Sequence, residues 1–326
     1  MRKITLTILI LSIFISSCNV GGMWKDENID PTIKAEIHNL NNEIIDGFVE
    51  NNAEKVFAIC SKKLLEKGKN DLSYLMQQVR ASFIKEDFRI LNEFYQQNSS
   101  EDVLTHVMTG MSGDHDYLIN YKALNKEMYV TVGYFENDLS ETCLTIIYGK
   151  YGNEWKVNII RVGTLTIMKK NAFDWYQSAK SNYEKGYLVD AANDLFLINQ
   201  VLQPAGQFWQ YQKQLEIQEF GEKIMTDINN SFTFPIMVES IETKPEIFRI
   251  FPQGMEKGYF PMILYTSKIA ISDTVKLSAE CDAIHSEIGK LFNGLDKDKE
   301  YIFYRAFEKI PVGNEFVENY GFIKEY

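Results

Sequence analysis

The spacing of apolar side chains changes along the sequence, and this change limits the possible folds more than any other feature. Between residues 31 and 84 apolar residues recur every three or four positions, which is the period of an amphipathic helix. From Phe88 to about residue 162, segments rich in Val, Ile, Tyr, Phe and Thr alternate with turn-forming residues, which predicts strands. A helical period returns over residues 171–228. The sequence therefore predicts an α+β fold.

The first helical region carries its own start and stop residues. Asp30-Pro31 predicts a helix start with proline at the first helical position. Asn51-Asn52 predicts a break, after which the pattern resumes and is predicted to end near Gly68. A second helix is predicted from Asp71, a candidate N-cap, to about Ile84.

Strands are predicted next, and the last two form an antiparallel hairpin joined by a short Gly152-Asn153 turn. The predicted strands are residues 88–96, 101–108, 116–123, 127–135, 141–150 and 154–162.

Helices followed by strands that close on Gly152, Trp155, Val157 and Ile159 resemble the nuclear-transport-factor-2-like fold. The resemblance covers about residues 31–165 and concerns the layout of elements. It implies that the helices pack into the concave face of a bent antiparallel sheet and form a cone. Some members of this family are enzymes with acids or phenols inside the cone, and many are binding or packing modules, so the fold alone implies no single function.

A second resemblance covers about residues 171–210. Tyr183, Ala192, Phe196 and Pro204 have the relative spacing of the key positions of a tetratricopeptide repeat. One copy is present, whereas stacked repeats need about three copies for stability. The resemblance therefore implies a single helical hairpin that packs on a neighbouring domain, with a peptide-binding repeat as the alternative.

The C-terminal residues 229–326 are predicted to form a small ββαββ domain. After an initial strand, the predicted elements are a strand at 260–271, a helix at 274–295 with Asp273 as its N-cap, and strands at 301–310 and 316–326.

The N-terminus has the layout of an export signal. Arg2 and Lys3 precede an apolar stretch that ends at Ile15 and contains no ionisable side chain. A membrane-spanning helix needs about 20 apolar residues, and this stretch is shorter. The sequence thus predicts a signal peptide at residues 1–17.

The segment Ile15-Ser16-Ser17-Cys18 resembles the lipobox of bacterial lipoproteins. The resemblance implies cleavage before Cys18 and lipidation of that cysteine, while cleavage at a conventional signal-peptide site is the alternative. In lipoproteins of enteric bacteria, an Asp directly after the lipidated cysteine retains the protein in the inner membrane. Here that position is Asn19, so the resemblance favours the outer membrane. Two or more acyl chains hold a protein stably on a bilayer.

The predicted division of the chain combines these observations. It consists of a signal peptide at 1–17, a lipidated tether at 18–30, a cone-like α+β domain at 31–165, a helical hairpin region at 166–228, and a C-terminal α+β domain at 229–326.

Charge and cysteine content restrict the partners and the covalent framework. The formal net charge is −11, and loss of Arg2 and Lys3 with the signal makes the mature chain more negative, which excludes nucleic acid as a partner. Cys60, Cys143 and Cys281 are an odd number of internal cysteines, so they predict buried free thiols. A bridge between Cys60 and Cys143 is the alternative.

Metal and acid–base chemistry have few candidate residues. The chain has no phosphate loop, nucleophile elbow or paired zinc-ligand motif. Asp114-His115-Asp116 with His106 would suit a divalent cation, but adjacent strand residues point to opposite faces, so a polar turn is the favoured interpretation. His38 and His285 are predicted to be surface or boundary residues on helices.

Aromatic residues supply the remaining candidates. Catalysis in a cone would use inward-facing phenols, for which Tyr117, Tyr121, Tyr129 and Tyr134 are the candidates, although packing explains them as well. The stretch from Phe208 to Tyr211 and the pair Phe248 and Phe251 suit either a peptide or glycan groove or burial against the next domain, and burial is favoured.

These observations predict a membrane-anchored lipoprotein of the bacterial cell envelope that acts as a non-catalytic binding or assembly module. Its predicted partners are the membrane, through Cys18, and an envelope protein or peptide. The alternative is an envelope enzyme or small-ligand carrier that uses the cone pocket. No residue is assigned to catalysis, a cofactor or a metal.

Overall fold

The structure is a computed structural model that describes residues 21–325, so the predicted signal peptide and Cys18 lie outside the described residues. The described residues form a mixed α+β fold, as the sequence predicts, and they contain seven α-helices. The helices are α1 (Pro31–Val49), α2 (Ala53–Ile59), α3 (Lys62–Val79), α4 (Ala172–Glu184), α5 (Leu188–Val201), α6 (Gln214–Ser231) and α7 (Thr274–Leu291).

Within residues 21–325, thirteen strands form three sheets in which most neighbours are antiparallel. The strands are β1 (Gly22–Lys25), β2 (Phe88–Gln97), β3 (Val103–Met108), β4 (Tyr117–Ala123), β5 (Glu127–Phe135), β6 (Ser140–Tyr151), β7 (Glu154–Ile167), β8 (Trp209–Tyr211), β9 (Ile236–Met237), β10 (Glu246–Met255), β11 (Gly258–Thr266), β12 (Tyr301–Phe307) and β13 (Asn319–Glu325). The first sheet has the order β1-β2-β5-β6-β7, the small sheet β3-β4-β8, and the C-terminal sheet β13-β12-β11-β10-β9.

The helix ends follow local side-chain chemistry. The Asp30 carboxylate accepts the Thr32 N–H at 2.8 Å and caps α1, as predicted, and Asp273 caps α7 through the Lys276 N–H at 3.2 Å. At the start of α4, the side chains of Asn171 and Asp174 form a reciprocal capping box.

The prediction of a helix end at Gly68 and a new start at Asp71 is wrong. Helix α3 runs without a break from Lys62 to Val79. The Ser61 hydroxyl accepts the Leu64 N–H at 3.2 Å and supplies the N-cap. A glycine inside a helix costs about 1 kcal/mol, which the packing of this amphipathic helix offsets.

The prediction that residues 19–30 form a flexible tether is wrong for the part described. Gly22–Lys25 pairs antiparallel with β2 as β1. The Asp26 carboxylate then accepts the Glu93 N–H at 2.8 Å and the Asn92 amide at 3.1 Å. The chain is therefore fixed to the first sheet from Gly22 onwards.

The first sheet is buried on both faces. Helices α1, α2 and α3 pack on one face, called the helix face here, through a core that includes Ile44, Phe48 and Tyr148. The small sheet and helices α4, α5 and α6 cover the opposite face, whose core includes Val130 and Trp209. Register shifts interrupt the β2–β5 and β6–β7 pairings, and bulges of this kind bend a strand.

The C-terminal sheet is covered by α7 on one face. Leu277, Cys281, Ile284 and Ile288 of α7 are fully buried in this third core. Helix α7 also connects β11 to β12, which are parallel neighbours. The order strand, strand, helix, strand, strand follows the sequence prediction, with the two-residue β9 added.

Each of the three cores contains one free, buried cysteine, so the alternative of a Cys60–Cys143 bridge is wrong. Cys60 lies in the helix-face core, Cys143 in the opposite core and Cys281 in the C-terminal core. Within residues 21–325, no helix has the length and apolar character that a membrane span requires.

Candidate functional site

The space between α1–α3 and the first sheet is occupied by side chains. Phe48, Tyr129 and Tyr148 are fully buried there, and the Tyr148 hydroxyl donates to the side-chain amide oxygen of Asn41 at 2.7 Å. Asn41 in turn donates to the Thr131 hydroxyl at 3.3 Å. This interior is the region in which a family-like cone would hold a ligand.

A buried carboxylate, Glu93, is the main ionisable group on the helix face. It accepts the Tyr129 hydroxyl at 2.8 Å and the His38 Nε2 at 2.9 Å, and the Lys34 ammonium lies 3.3 Å away. Its side chain is 2% exposed, whereas those of Lys34 and His38 are 29% and 38% exposed. Because three donors satisfy it, the carboxylate is stabilised in place.

The four tyrosines proposed for a cone do not share one face. Tyr129 lies on the helix face, while Tyr117, Tyr121 and Tyr134 belong to the opposite core. Burial raises the pKa of Tyr117, Tyr121 and Tyr129, so their hydroxyls stay protonated and act as hydrogen-bond donors. Tyr121, for example, donates to the Gln96 amide oxygen at 2.6 Å.

The Asp114-His115-Asp116 segment is a polar turn, as predicted. Asp116 accepts the Gly113 N–H at 2.7 Å and the Thr109 hydroxyl at 3.0 Å, and His115 Nδ1 accepts the Asn171 amide at 2.9 Å. His106 lies on β3 and faces a different cavity. No three His, Cys, Asp or Glu side chains among residues 21–325 are placed to hold a metal ion.

This turn borders a cavity of about 470 Å³ on the opposite face of the first sheet, called the turn cavity here. Its apolar walls combine aromatic rings with Leu91 and Leu165, and its carboxylates come from the turn and from β6. The lining includes Asp114, Asp116, Tyr117, Tyr134, Glu141 and Trp209.

The helical hairpin predicted near residues 171–210 is present as α4 and α5, and it borders a second cavity. This hairpin groove has a volume of about 350 Å³ and lies between α5, α6 and β10. Ala192 and Phe196, two of the repeat-like positions, line it. Phe196, Met225 and Phe234 remain 43%, 44% and 38% exposed, which is unusual for a cluster of large apolar side chains.

The strand side of the hairpin groove is an unpaired edge. Residues Phe248 to Pro252 all line the groove, although consecutive strand residues point to opposite faces, so the groove lies along the edge of β10. In residues 21–325, β9 pairs only with Glu246 and Ile247 on that side of β10. Pro252, which lacks an N–H, is typical of an edge strand.

The edge carries one cation. The Arg249 guanidinium lies 5.0 Å from the centre of the Phe251 ring. Within the described range Arg249 makes no ion pair, so its charge remains available to a ligand carboxylate.

The other aromatic and histidine candidates are packed. Trp209 and Tyr211 are 2% exposed, so the prediction of burial is confirmed for these two residues, whereas Phe208 is half-buried and lines a cavity with His106. Phe248 and Phe251 line the hairpin groove. His285 Nδ1 lies 2.9 Å from the Tyr304 hydroxyl, and burial lowers the pKa of this histidine.

The comparisons with known proteins add no relative: no family model, no curated protein and no solved structure matches this chain.

Proposed function

We propose that this chain is a lipid-anchored binding module of the bacterial cell envelope that holds an extended segment of a partner protein in the hairpin groove. The observation that carries the proposal is the coincidence of an apolar groove with an unpaired strand edge. An extended peptide that adds to a free edge gains main-chain hydrogen bonds, and alternate side chains enter the adjoining pockets.

The chemistry of the groove selects the character of that segment. Phe196, Met225 and Phe234 offer apolar surface, and Arg249 offers an unpaired cation at the same edge. The partner segment is therefore apolar at alternate positions and carries a carboxylate near Arg249. An envelope protein that exposes such a strand is the partner class we assign.

A displayed library of random twelve-residue peptides tests the groove. Peptides selected on the wild-type protein are expected to lose at least about tenfold in affinity for Phe196→Asp, because a buried phenylalanine contributes about 2 kcal/mol. Phe316→Asp is the matched control, since Phe316 is 85% exposed and lies outside the groove. Equal binding to both variants would contradict the proposal.

Strand pairing has its own test. N-methylation of a peptide amide removes the donor that a ladder hydrogen bond needs. Methylation at every second amide in one register is expected to abolish binding, while methylation in the other register leaves it unchanged. If neither register matters, the peptide does not pair with β10.

The anchor is part of the same proposal and places the protein on the outer membrane. Cys18→Ala is expected to give a protein without acyl chains that leaves the membrane fraction, whereas Ser17→Ala keeps a small residue in the lipobox and stays lipidated. Mass spectrometry and fractionation measure both outcomes. A wild-type protein that is soluble after export and carries no acyl chain would refute the anchor.

We also assign residues 31–165 to the nuclear-transport-factor-2-like class. The supporting observations are the three helices on one face of the five-stranded sheet that contains β2, β5, β6 and β7, and the β6–β7 hairpin at the predicted place. The filled interior beneath the helices favours a packing role for this region over the enzyme or carrier alternative.

A further inference from the structure

The strand edge in the hairpin groove is closed at one end. β9 occupies the edge of β10 opposite Glu246 and Ile247, and Phe234, two residues before β9, lines the groove. Past Ile247, no other strand within residues 21–325 pairs with that edge of β10, which continues to Met255. A partner strand can therefore extend along β10 away from β9, but it has to stop or turn away where β9 begins.

The direction of β9 determines which end of a partner strand meets this closed end. β9 runs antiparallel to β10. A partner strand in the same orientation would lie in line with β9, and its C-terminal residue would be beside Phe248 and Arg249. In the parallel orientation, the N-terminal residue would be there instead. A chain terminus fits the closed end, and the charge at that end decides which terminus it is.

The charge at the closed end is positive. Among the described residues that line the groove, Arg249 is the only ionisable one. It is exposed, and its guanidinium lies 5.0 Å from the centre of the Phe251 ring. The lining contains no Asp or Glu, although the formal net charge of the chain is −11. A carboxylate is therefore attracted to this end of the groove, whereas an ammonium group is repelled.

Two side-chain amides on α5 add hydrogen-bond donors. Asn193 is half-buried and Asn199 is exposed, and both line the groove. Neither side chain hydrogen-bonds to another residue in the part of the chain that the structure describes. A guanidinium can bind both oxygens of a carboxylate, and each oxygen keeps a lone pair for a further donor. The groove thus offers donors in the number that a terminal carboxylate accepts.

We propose that the hairpin groove holds the free C-terminal end of its partner, as a strand antiparallel to β10 with its terminal carboxylate on Arg249. This inference rests on the proposed peptide-binding function of the groove and names the end of the partner that is bound. The carboxylate of an internal Asp or Glu would also suit Arg249. Its chain, however, would have to continue into the space that β9 and Phe234 occupy.

Two displayed libraries of random twelve-residue peptides test the inference on the purified protein in detergent. In the first library the peptide is the C-terminus of its carrier and has a free carboxylate. In the second library the carrier follows the peptide, so the carboxylate is blocked. Peptides are expected to be enriched from the first library and not from the second.

A selected peptide is then synthesised in three forms: as the free acid, as the C-terminal amide, and with two glycines added after its last residue. Fluorescence anisotropy measures the affinity of each form. The acid is expected to bind at least about tenfold more tightly than the other two, because its charged oxygens accept hydrogen bonds from a guanidinium.

Variants assign the preference for the acid to Arg249. Arg249→Met removes the guanidinium and keeps a flexible apolar side chain, so the acid and the amide are expected to bind equally well. This combination forms a double-mutant cycle that isolates the ion pair. Arg305→Met is the matched control and keeps the preference, since Arg305 is an exposed arginine on β12 outside the groove. Thermal melting shows whether each variant retains its fold.

The possible results separate this inference from the groove proposal. Equal affinities for the acid and the amide, or an undiminished preference for the acid in Arg249→Met, would overturn the inference. If Phe196→Asp still loses the peptide in that case, the groove binds internal segments and only the assignment of the C-terminus is wrong. If neither library yields a peptide, or if Phe196→Asp binds as tightly as wild type, both proposals are wrong.

Discussion

Replacing Glu93 by Gln distinguishes a structural carboxylate from a catalytic one. Groups that serve catalysis are often held in unfavourable surroundings, and their replacement then stabilises the protein. A carboxylate that holds the fold together has the opposite effect. The hydrogen bonds to Glu93 from Tyr129 and His38 and its ion pair with Lys34 predict the structural outcome.

The expected magnitude comes from those contacts. A hydrogen bond to a charged group contributes about 1.5 to 3 kcal/mol, and removing one partner of a buried ion pair costs about 3 to 5 kcal/mol. Glutamine keeps an acceptor for Tyr129 but turns an amide donor toward His38 and Lys34. Because Lys34 and His38 are partly exposed, we expect the lower end of that range, which is a decrease of about 3 kcal/mol in the free energy of unfolding.

Thiol labelling of the three buried cysteines measures the loss of stability separately in each core. Burial raises the pKa of Cys60, Cys143 and Cys281 to about 12, so each thiol reacts only after local opening. A loss of about 3 kcal/mol in the helix-face core corresponds to labelling of Cys60 more than about a hundredfold faster. Cys281 lies in the C-terminal core, so its labelling rate serves as the internal control.

Unchanged or slower labelling of Cys60 in Glu93→Gln would refute this reasoning. It would show that the carboxylate is not stabilising, and the enzyme alternative for the helix-face interior would gain support. Tyr129→Phe provides a second check, since it removes one donor to Glu93 and is expected to cost about 1.5 kcal/mol.

Two further predictions concern Asp194 and Gly163, which lie on the side of the opposite core. Burial raises the pKa of the Asp194 carboxyl to about 6, above its unfolded value of about 3.9, so the folded state binds more protons and stability falls as pH rises from about 4 through 6. Asp194→Asn can still accept the Asn182 amide, so it is expected to raise the free energy of unfolding by about 2 kcal/mol at pH 7.5 and to leave it unchanged at pH 4. Urea unfolding at the two pH values measures this difference, and equal effects at both would contradict the prediction. Gly163→Ala would place a Cβ against the Pro204 carbonyl oxygen. Cys143 on β6 pairs with Gly163, so its thiol is expected to be labelled at least about tenfold faster in this variant. An unchanged labelling rate would count against the close approach.

The sequence was most informative where periodicity and caps agreed. Helix α1, the strands β2 to β7 and the capped helix α7 lie close to their predicted positions. The helix end predicted at Gly68 and the helix start predicted at Asp71 are wrong because the packing of the amphipathic face of α3 outweighs the local preference of these residues. Gly22–Lys25 was missed because a four-residue strand has too few positions to show a period, and its pairing partner lies more than sixty residues away.

The candidate sites were only partly visible in the sequence. Phe196, Phe248 and Phe251 were recognised as possible groove residues, but nothing in the sequence brings α5 beside the edge of β10. The Asp114-His115-Asp116 turn was recognised as polar, while the turn cavity depends on a β4–β8 pairing between distant segments. Both cavities arise from contacts between elements that local patterns do not encode.

The pairing of β1 with β2, which begins at Gly22, limits how far the folded protein can lie from the proposed lipid anchor. If Cys18 carries the lipid, only four residue steps separate it from Gly22, where the chain joins the first sheet. A fully extended chain covers at most about 14 Å over that distance. The folded body would therefore remain close to the bilayer, with Met23 and Trp24 exposed beside the anchor at 44% and 37%.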